Sequence, residues 1–402
     1  MRLRTAAFAA SSVLGAGAAA VAAGRYAAAR ALRPARARRH GGPRPAGFEG
    51  PPLTVHSAEH GRVALTRSLM AGLPGTYGLA GRGSHAVVGP VLDAPPGERP
   101  EEPGAAPDGP GTAVDAEGSV HTVVRKLERV TQGQLSAGAT VRLTPQVYTG
   151  DPGSALGIPF TEVDIPGELG PLPGWFVPGD RAVWVLTVHG LGATREQPMA
   201  LFPFLRRQRL PILDIAYRGD LGAPRPPDGI GHLGASEWRD LDAAIRYAVR
   251  YGARRVVLYG WSSGAAMALH AAANSALRDR ISGLVLDSPV LDWKRTLAAL
   301  AASHGIPRAL LPLALRAVQG RSGLAADRFA AVPAPDTLSL PVLLLHGPGD
   351  TVAPWDSSRA LAAERPDLVT LHTVHDAPHA AMWNADPEGC EEALRRFLTP
   401  LM

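Results

Sequence analysis

Val256-Val257-Leu258-Tyr259-Gly260-Trp261-Ser262-Ser263-Gly264-Ala265 is the stretch that decides the fold. Its first four residues are large and apolar, as in a strand buried on both faces. From Ala265 to Leu277 the chain is rich in alanine and reads as a helix. Between them stands Gly-x-Ser-x-Gly, a strand turning sharply into a helix with a serine at the apex. The five-residue pattern alone is weak in a chain with 45 glycines; the strand before it and the helix after it give it weight. The apex serine needs small neighbours, which Gly260 and Gly264 supply. Ser262 has the correct spacing, whereas Ser263 has no glycine two positions earlier. Ser263 is instead placed to lend its backbone N–H to an oxyanion. The plain alternative is a strand-to-helix turn in which Ser262 is only a helix cap.

The same character extends outward. Ala182–Val188, Pro211–Tyr217, Arg255–Gly260, Ile281–Asp287 and Pro341–His346 are apolar runs of strand length, with a shorter one at Leu368–Val374. Helical patterns separate them. One is set to start at an Ser236 cap, continues through Leu241, Ala244, Ile245, Ala248 and Val249, and stops at Gly252. Another begins at Asp386-Pro387 and repeats apolar residues at Cys390, Ala393, Leu394, Phe397 and Leu398. Strands alternating with helices predict an α/β fold with a doubly wound, mostly parallel sheet. In such sheets ligands bind beyond the carboxyl ends of the strands, so chemistry is sought just after each apolar run.

Three such places hold reactive groups. His189-Gly190-Leu191-Gly192 follows the first long strand, and its Gly-rich turn can aim the Leu191 N–H at a developing oxyanion. His189 itself reads as structural. His346-Gly347-Pro348-Gly349-Asp350 puts Asp350 after a strand, where an acid that orients a base belongs; Asp287 and Asp376 are rivals. Asp376 is too close in sequence to His379 to come from a separate strand. His379, in Ala377-Pro378-His379-Ala380, lies on the loop before the last helix and can reach Ser262, whereas its rivals His372 and His375 are read as strand residues. Ser262 as nucleophile, Asp350 as acid and His379 as base follow in the order this architecture uses. Leu191 and Ser263 complete the set as oxyanion-hole donors. No His or Glu pairing has ligand spacing and a single cysteine forbids thiolate clusters, so no metal is expected. No G-x-G-x-x-G links a strand to a helix, so no cofactor is expected. Cys390 reads as a small buried hydrophobe, and a lone cysteine excludes intrachain disulfides.

The net charge of +5 does not predict a nucleic-acid partner. Residues 1–48 hold nine arginines and no acid, so the remainder of the chain is net −4. The basic character belongs to one tail. Within that tail, Thr5–Gly24 is uncharged and about long enough to span a bilayer. Six arginines follow, from Arg25 to Arg39. A membrane anchor, a cleaved signal peptide and a surface-lying basic helix or disordered leader all fit. Residues 1–39 are therefore expected as a membrane or signal segment, giving a membrane-associated or secreted protein. Residues 40–52 read as a linker, and 53–175 as a small β-rich region of short strands. A disordered insertion is expected over 92–118, where large apolar side chains are nearly absent. The catalytic domain is expected over 176–402. Oligomeric state is not legible.

Together the strand ending in His189-Gly190, the elbow at Ser262, Val285-Leu286-Asp287-Ser288-Pro289, His346-Gly-x-x-Asp350 and His379 followed by Trp383-Asn384 resemble the α/β-hydrolase superfamily. The likeness is to its bacterial serine-aminopeptidase-like and prolyl-oligopeptidase-like branch, over about residues 181–400. The Ala/Arg/Gly/Pro bias and near-absence of lysine point to an actinobacterial type. One departure is Ala265, where many relatives have a second glycine. The resemblance implies a helical cap over about 292–338 and a serine hydrolase acting on a small-molecule ester or other acyl substrate, first of all a carboxylesterase. A peptidase or amidase, an acyltransferase or thioesterase, and a non-catalytic binding protein at the membrane are the other readings, since fold does not imply function.

Overall fold

The apolar runs become strands because each has two faces to bury. In β11 (Arg255–Trp261), Val256 and Leu258 enter one apolar cluster while Val257, Tyr259 and Trp261 enter the opposite one. Side chains alternate across a strand, so a strand covered on both sides must be apolar throughout. The computed structural model describes residues 22–32, 45–92, 121–313, 316–317, 333 and 335–402.

Eight strands form the large sheet: β7 (Thr161–Gly167), β8 (Gly170–Val177), β9 (Val183–Val188), β10 (Ile212–Ile215), β11, β12 (Ile281–Asp287), β13 (Val342–His346) and β14 (Val369–Thr373). Their order is β14-β13-β12-β11-β9-β10-β8-β7. From β14 to β10 neighbouring strands are parallel, and β8 and β7 add an antiparallel edge. Helices cover both faces: Trp238–Arg250 and Ser263–Asn274 on one, Phe202–Arg207 and Pro387–Leu398 on the other.

Six earlier strands close into a separate barrel: β1 (Leu53–Glu59), β2 (Arg62–Thr66), β3 (Tyr77–Gly81), β4 (Ser84–Val91), β5 (Thr122–Gln132) and β6 (Thr140–Thr144), ordered β1-β2-β5-β4-β3-β6 with β6 returning to β1. Closure removes the exposed edges a small sheet would present. Inward-facing Leu53, Val55, Val63, Leu65, Leu79, Val88 and Val123 fill it. At one end Arg125 is fully buried and donates to the carbonyls of Ala71, Leu73, Gly75 and Gly89.

Two boundaries differ from the sequence reading. The β-rich stretch expected over 53–175 divides, since β7 and β8 join the large sheet rather than the barrel. A boundary at 175/176 would cut through β8. A half-buried hairpin reads the same in either context, and only the pairing of β8 with β10 assigns it. The helix expected from an Ser236 cap begins at Trp238. The Glu237 carboxylate that would support that cap turns back to the His232 and Gly234 amides.

Residues 22–32 of the basic tail pack against the hydrolase-fold part of the chain. Residues 22–31 form helix α1. Its Ala27, Ala28 and Ala31, one stripe at helical spacing, pack with Leu32 against Ile230, Leu233, Trp293, Leu297 and Leu300. Arg25, Tyr26 and Arg30 face outward. The Gly231 N–H bonds the Leu32 carbonyl at 2.9 Å. Among the described residues no helix is long and apolar enough to cross a membrane. Most of the stretch expected as a span, 5–24, lies outside them, as do nearly all of the expected 92–118 insertion and much of the expected 292–338 cap. Of that cap, helix Trp293–Ser303 is seen, and it is the partner of α1.

Candidate active site

Ser262 stands between β11 and the helix Ser263–Asn274 with φ 53° and ψ −114°. That backbone region is costly for a residue with a Cβ and persists only where its surroundings hold it. Here the Ser262 N–H bonds the Asp287 carbonyl at 2.8 Å, tying the turn to the end of β12. A Cβ on Gly260 would lie 2.3 Å from the Gly264 backbone, so the turn closes only without one. The Ser262 hydroxyl makes no capping bond to the helix. It meets His379 Nε2 at 2.7 Å instead, which disposes of the plain helix-cap reading.

The other imidazole nitrogen, His379 Nδ1, lies 2.7 Å from Asp350 Oδ2. Asp350 is fixed from three further directions. His346 Nε2 approaches Oδ2 at 3.0 Å, and the Val352 and Ala353 amides donate to Oδ1 at 2.8 Å each. Burial alone would raise the Asp350 pKa, but the His379 charge and the bonds from both histidines hold it well below the usual carboxylate range. Burial would likewise lower the His379 pKa, and the Asp350 carboxylate more than offsets this, leaving it above its ordinary value. A hydroxyl, an imidazole and an ionised carboxylate in series can generate an alkoxide-like nucleophile at neutral pH.

The rivals are placed elsewhere. Asp287 makes no hydrogen bond to His379; its Oδ1 accepts from the Ser288 hydroxyl. Its pKa is pushed up to about 7, first by burial. Asp376 and His375 form no part of the chain of bonds, and His372 lies within β14. His189 is buried against Asp220 at 2.9 Å and stacks on Tyr217, a structural setting. Its turn does pack on the serine, since a Cβ on Gly190 would come 2.9 Å from the Ser262 Cβ. This puts the Leu191 amide beside the elbow. The Ser263 N–H is the first of its helix, where a donor has no partner in the helix.

Three residues position these groups; Gln197 had no signal in the sequence, while Ser288 and His346 stood only inside motifs that carried the resemblance. The Gln197 carboxamide accepts from the Gly190 N–H at 3.3 Å and donates to the Ala380 carbonyl at 3.0 Å, joining the two loops. The Ser288 hydroxyl accepts from the Ala380 N–H at 2.9 Å. His346, read only as part of a strand end, binds Asp350 and Ser358. The bonds of Gln197 and Ser288 to Ala380 join residues far apart in the chain, which no local pattern marks, whereas His346 bonds groups 4 and 12 residues away. Cys390 is buried in the last helix, and burial pushes its thiol pKa up. Among the described residues no group of three or more His, Cys, Asp or Glu is arranged to hold a metal ion.

The serine is 5% exposed and the histidine 1%. Chain from outside the sheet lies near them: Gly47 packs against His379, and α1 with Leu32 shares an apolar cluster with Val290, Trp293 and Val352, Leu191 packing against it.

A family profile described as alpha/beta hydrolase fold matches residues 183–308, and one described as a domain of unknown function matches residues 54–101, a stretch that takes in barrel strands β2 to β4. The structure of the Pyrococcus furiosus esterase Pf2001 superposes with a TM-score of 0.50 and 19% identity, over 63% of this chain and 94% of that one. The fold is that of the α/β-hydrolases. Among curated proteins, the uncharacterized protein YfhR of Escherichia coli O157:H7 is 27% identical over 240 residues, 58% of this chain and 76% of YfhR. YfhR of Salmonella typhimurium is 29% identical over 237 residues, 54% of this chain and 72% of YfhR. The α/β-hydrolase resemblance read from the motifs thus holds at the level of fold.

Proposed function

We propose that this chain is a serine hydrolase that cleaves a carboxylic ester through an acyl-enzyme on Ser262. One observation carries the reading: a single imidazole bonds Ser262 Oγ and Asp350 Oδ2, each at 2.7 Å. With Asp350 ionised, Nδ1 keeps its proton and Nε2 is left free to accept. As Ser262 Oγ attacks the ester carbonyl, its proton passes to Nε2, and Asp350 stabilises the imidazolium. The amides of Leu191 and Ser263 receive the tetrahedral oxyanion, a donor in such a hole being worth about 3 kcal/mol. The imidazolium then protonates the departing alcohol, and water, activated by the same nitrogen, releases the acid. The apolar wall of Leu191, Val290, Trp293 and Val352 beside the serine suits an uncharged aliphatic or aromatic acyl group.

The test is turnover of p-nitrophenyl esters of increasing acyl length by wild type and Ser262→Ala, with a fluorophosphonate probe beside it. Turnover and labelling that both vanish in Ser262→Ala support the assignment. Undiminished turnover in the variant moves the nucleophile elsewhere. Absence of both in wild type favours a non-catalytic binding protein.

A further inference from the structure

His379 sits on a loop, 377–385, that has little regular structure of its own until helix Met382–Ala385. Its next residue, Ala380, has φ 55°, a left-handed conformation that a side chain disfavours and that its surroundings must impose. Two of the constraints come from the hydrolase domain, Gln197 and Ser288, at the two polar groups of Ala380. The rest come from the barrel. The Asn384 side chain donates to the Thr76 carbonyl at 2.9 Å and to the Pro145 carbonyl at 3.0 Å, and its carbonyl accepts from the Thr76 N–H at 2.7 Å. Thr76 precedes β3 and Pro145 follows β6, and these strands are neighbours in the barrel. One carboxamide therefore bridges two adjacent strand ends. The bridge is buried, with Asn384 5% exposed. Ala381 enters the barrel's own apolar cluster.

The clamp is chemically particular. Both acceptors are backbone carbonyls, so the side chain must present two N–H donors from one planar group, which asparagine does and aspartate cannot. The barrel side is shaped to match, because a Cβ on Gly75 would lie 2.0 Å from the Asn384 carbonyl oxygen.

We propose that the barrel is a positioning domain for the catalytic histidine, and that Asn384 is the positioning residue through which it holds the His379 loop. This rests on the hydrolase reading above. Displacing a catalytic group by about 1 Å can cost up to a hundredfold in rate, which gives the clamp its leverage without any contact with substrate.

The experiment compares full-length wild type with Asn384→Asp, Asn384→Ala, Asn384→Ser and a control, Val63→Ala, which opens a small void in the barrel core and removes none of the Asn384 hydrogen bonds. Two quantities are read: kcat and KM on a p-nitrophenyl ester, and the far-downfield proton resonance of the His379–Asp350 hydrogen bond. The proposal expects Asn384→Asp and Asn384→Ala to lower kcat by about tenfold or more with little change in KM, and to broaden or abolish the resonance. Asn384→Ser keeps one donor and is expected to fall between, which also serves if the aspartate variant does not fold. Val63→Ala is expected to lower the melting temperature while retaining kcat and the resonance. Wild-type kcat and resonance in the Asn384 variants overturn the proposal, as does loss of kcat in Val63→Ala in step with its stability. If wild type turns over no ester, the hydrolase reading fails, while the resonance still decides whether Asn384 holds the histidine.

Discussion

Gly47 lies against His379. It has φ 86°, and a Cβ built on it would come 2.8 Å from the His379 Cβ. The segment is held there from its own side, since the Gly47 N–H bonds the Glu49 carboxylate at 2.9 Å and Ala46 and Phe48 are buried. Chain that precedes the barrel is thus built into the surroundings of the base.

Gly47→Ala tests that contact. A residue with a Cβ in this conformation costs about 1–2 kcal/mol, and the clash adds displacement of the imidazole. The expected result is a lower melting temperature with kcat/KM down by about tenfold or more, read by thermal unfolding and ester kinetics. Wild-type values for both would mean that the segment yields freely.

Asp350 and Asp287 are separable by isosteric replacement. Asp350→Asn removes the acceptor that fixes the His379 tautomer and is expected to lower turnover by about 10⁴-fold. Asp287→Asn is expected to keep most of the activity, because Asp287 bonds Ser288 rather than the imidazole. Equal losses in the two variants would restore Asp287 as a candidate acid.

The pH dependence follows from the same groups. His379 must be neutral to accept the Ser262 proton. Its raised pKa therefore places the acid limb of kcat/KM above the ordinary histidine value of about 6.5, and Asp350→Asn should move that limb down. For stability the signs differ. Asp350 is depressed in the fold, so its contribution is present above the unfolded value of about 4 and is lost as pH falls through the folded one. His379 is raised, so its contribution is present below about 6.5 and is lost as pH rises through the folded value. Asp287, raised to about 7, binds more protons folded than unfolded from about pH 4 to its own pKa, so its contribution to stability falls with pH there. Urea unfolding across this range should show that slope flattened in Asp287→Asn; an unchanged slope would show that Asp287 is ionised in the fold.

Helix α1 packs in the apolar cluster that holds Val290 and Val352 beside the candidate site. Ala28 is fully buried against Trp293, Leu297 and Leu300, and Ala28→Glu puts a carboxylate into that apolar cluster, which should lift the helix. Labelling of Ser262 by a fluorophosphonate is then expected to accelerate severalfold. An unchanged rate would place the substrate path elsewhere.

Arg125 supports the barrel loop that meets Asn384. Arg125→Met leaves four carbonyls in the barrel without their donor, and unpaired buried acceptors cost about 1–3 kcal/mol each. A loss of about 3 kcal/mol or more in urea unfolding is expected, with kcat reduced because the Gly75 end of the clamp loosens. Retention of full stability would show that water or Tyr77 replaces the guanidinium.

Much of this protein was legible from one dimension. The runs at 183–188, 255–261, 281–287 and 342–346 read as doubly buried strands, because five to seven mostly apolar residues between turn signals need cover on both faces. Gly260-Trp261-Ser262-Ser263-Gly264 between strand and helix, with Asp350 and His379 just past later strands, located the site, because a parallel sheet brings all its strand ends to one edge. Tertiary structure alone decided the rest. Whether β7 and β8 belonged to the barrel or the sheet depended on which strand they paired with, and both choices satisfy the same alternation. That residues 22–31 form a helix packed on the cluster of Val290, Trp293 and Val352 depended on a stripe of alanines, too weakly apolar to register until a matching surface met it. Gln197, Ser288 and Asn384 act through hydrogen bonds to groups distant in the chain. Such bonds leave no periodicity, because their partners are set by where the backbone has already gone.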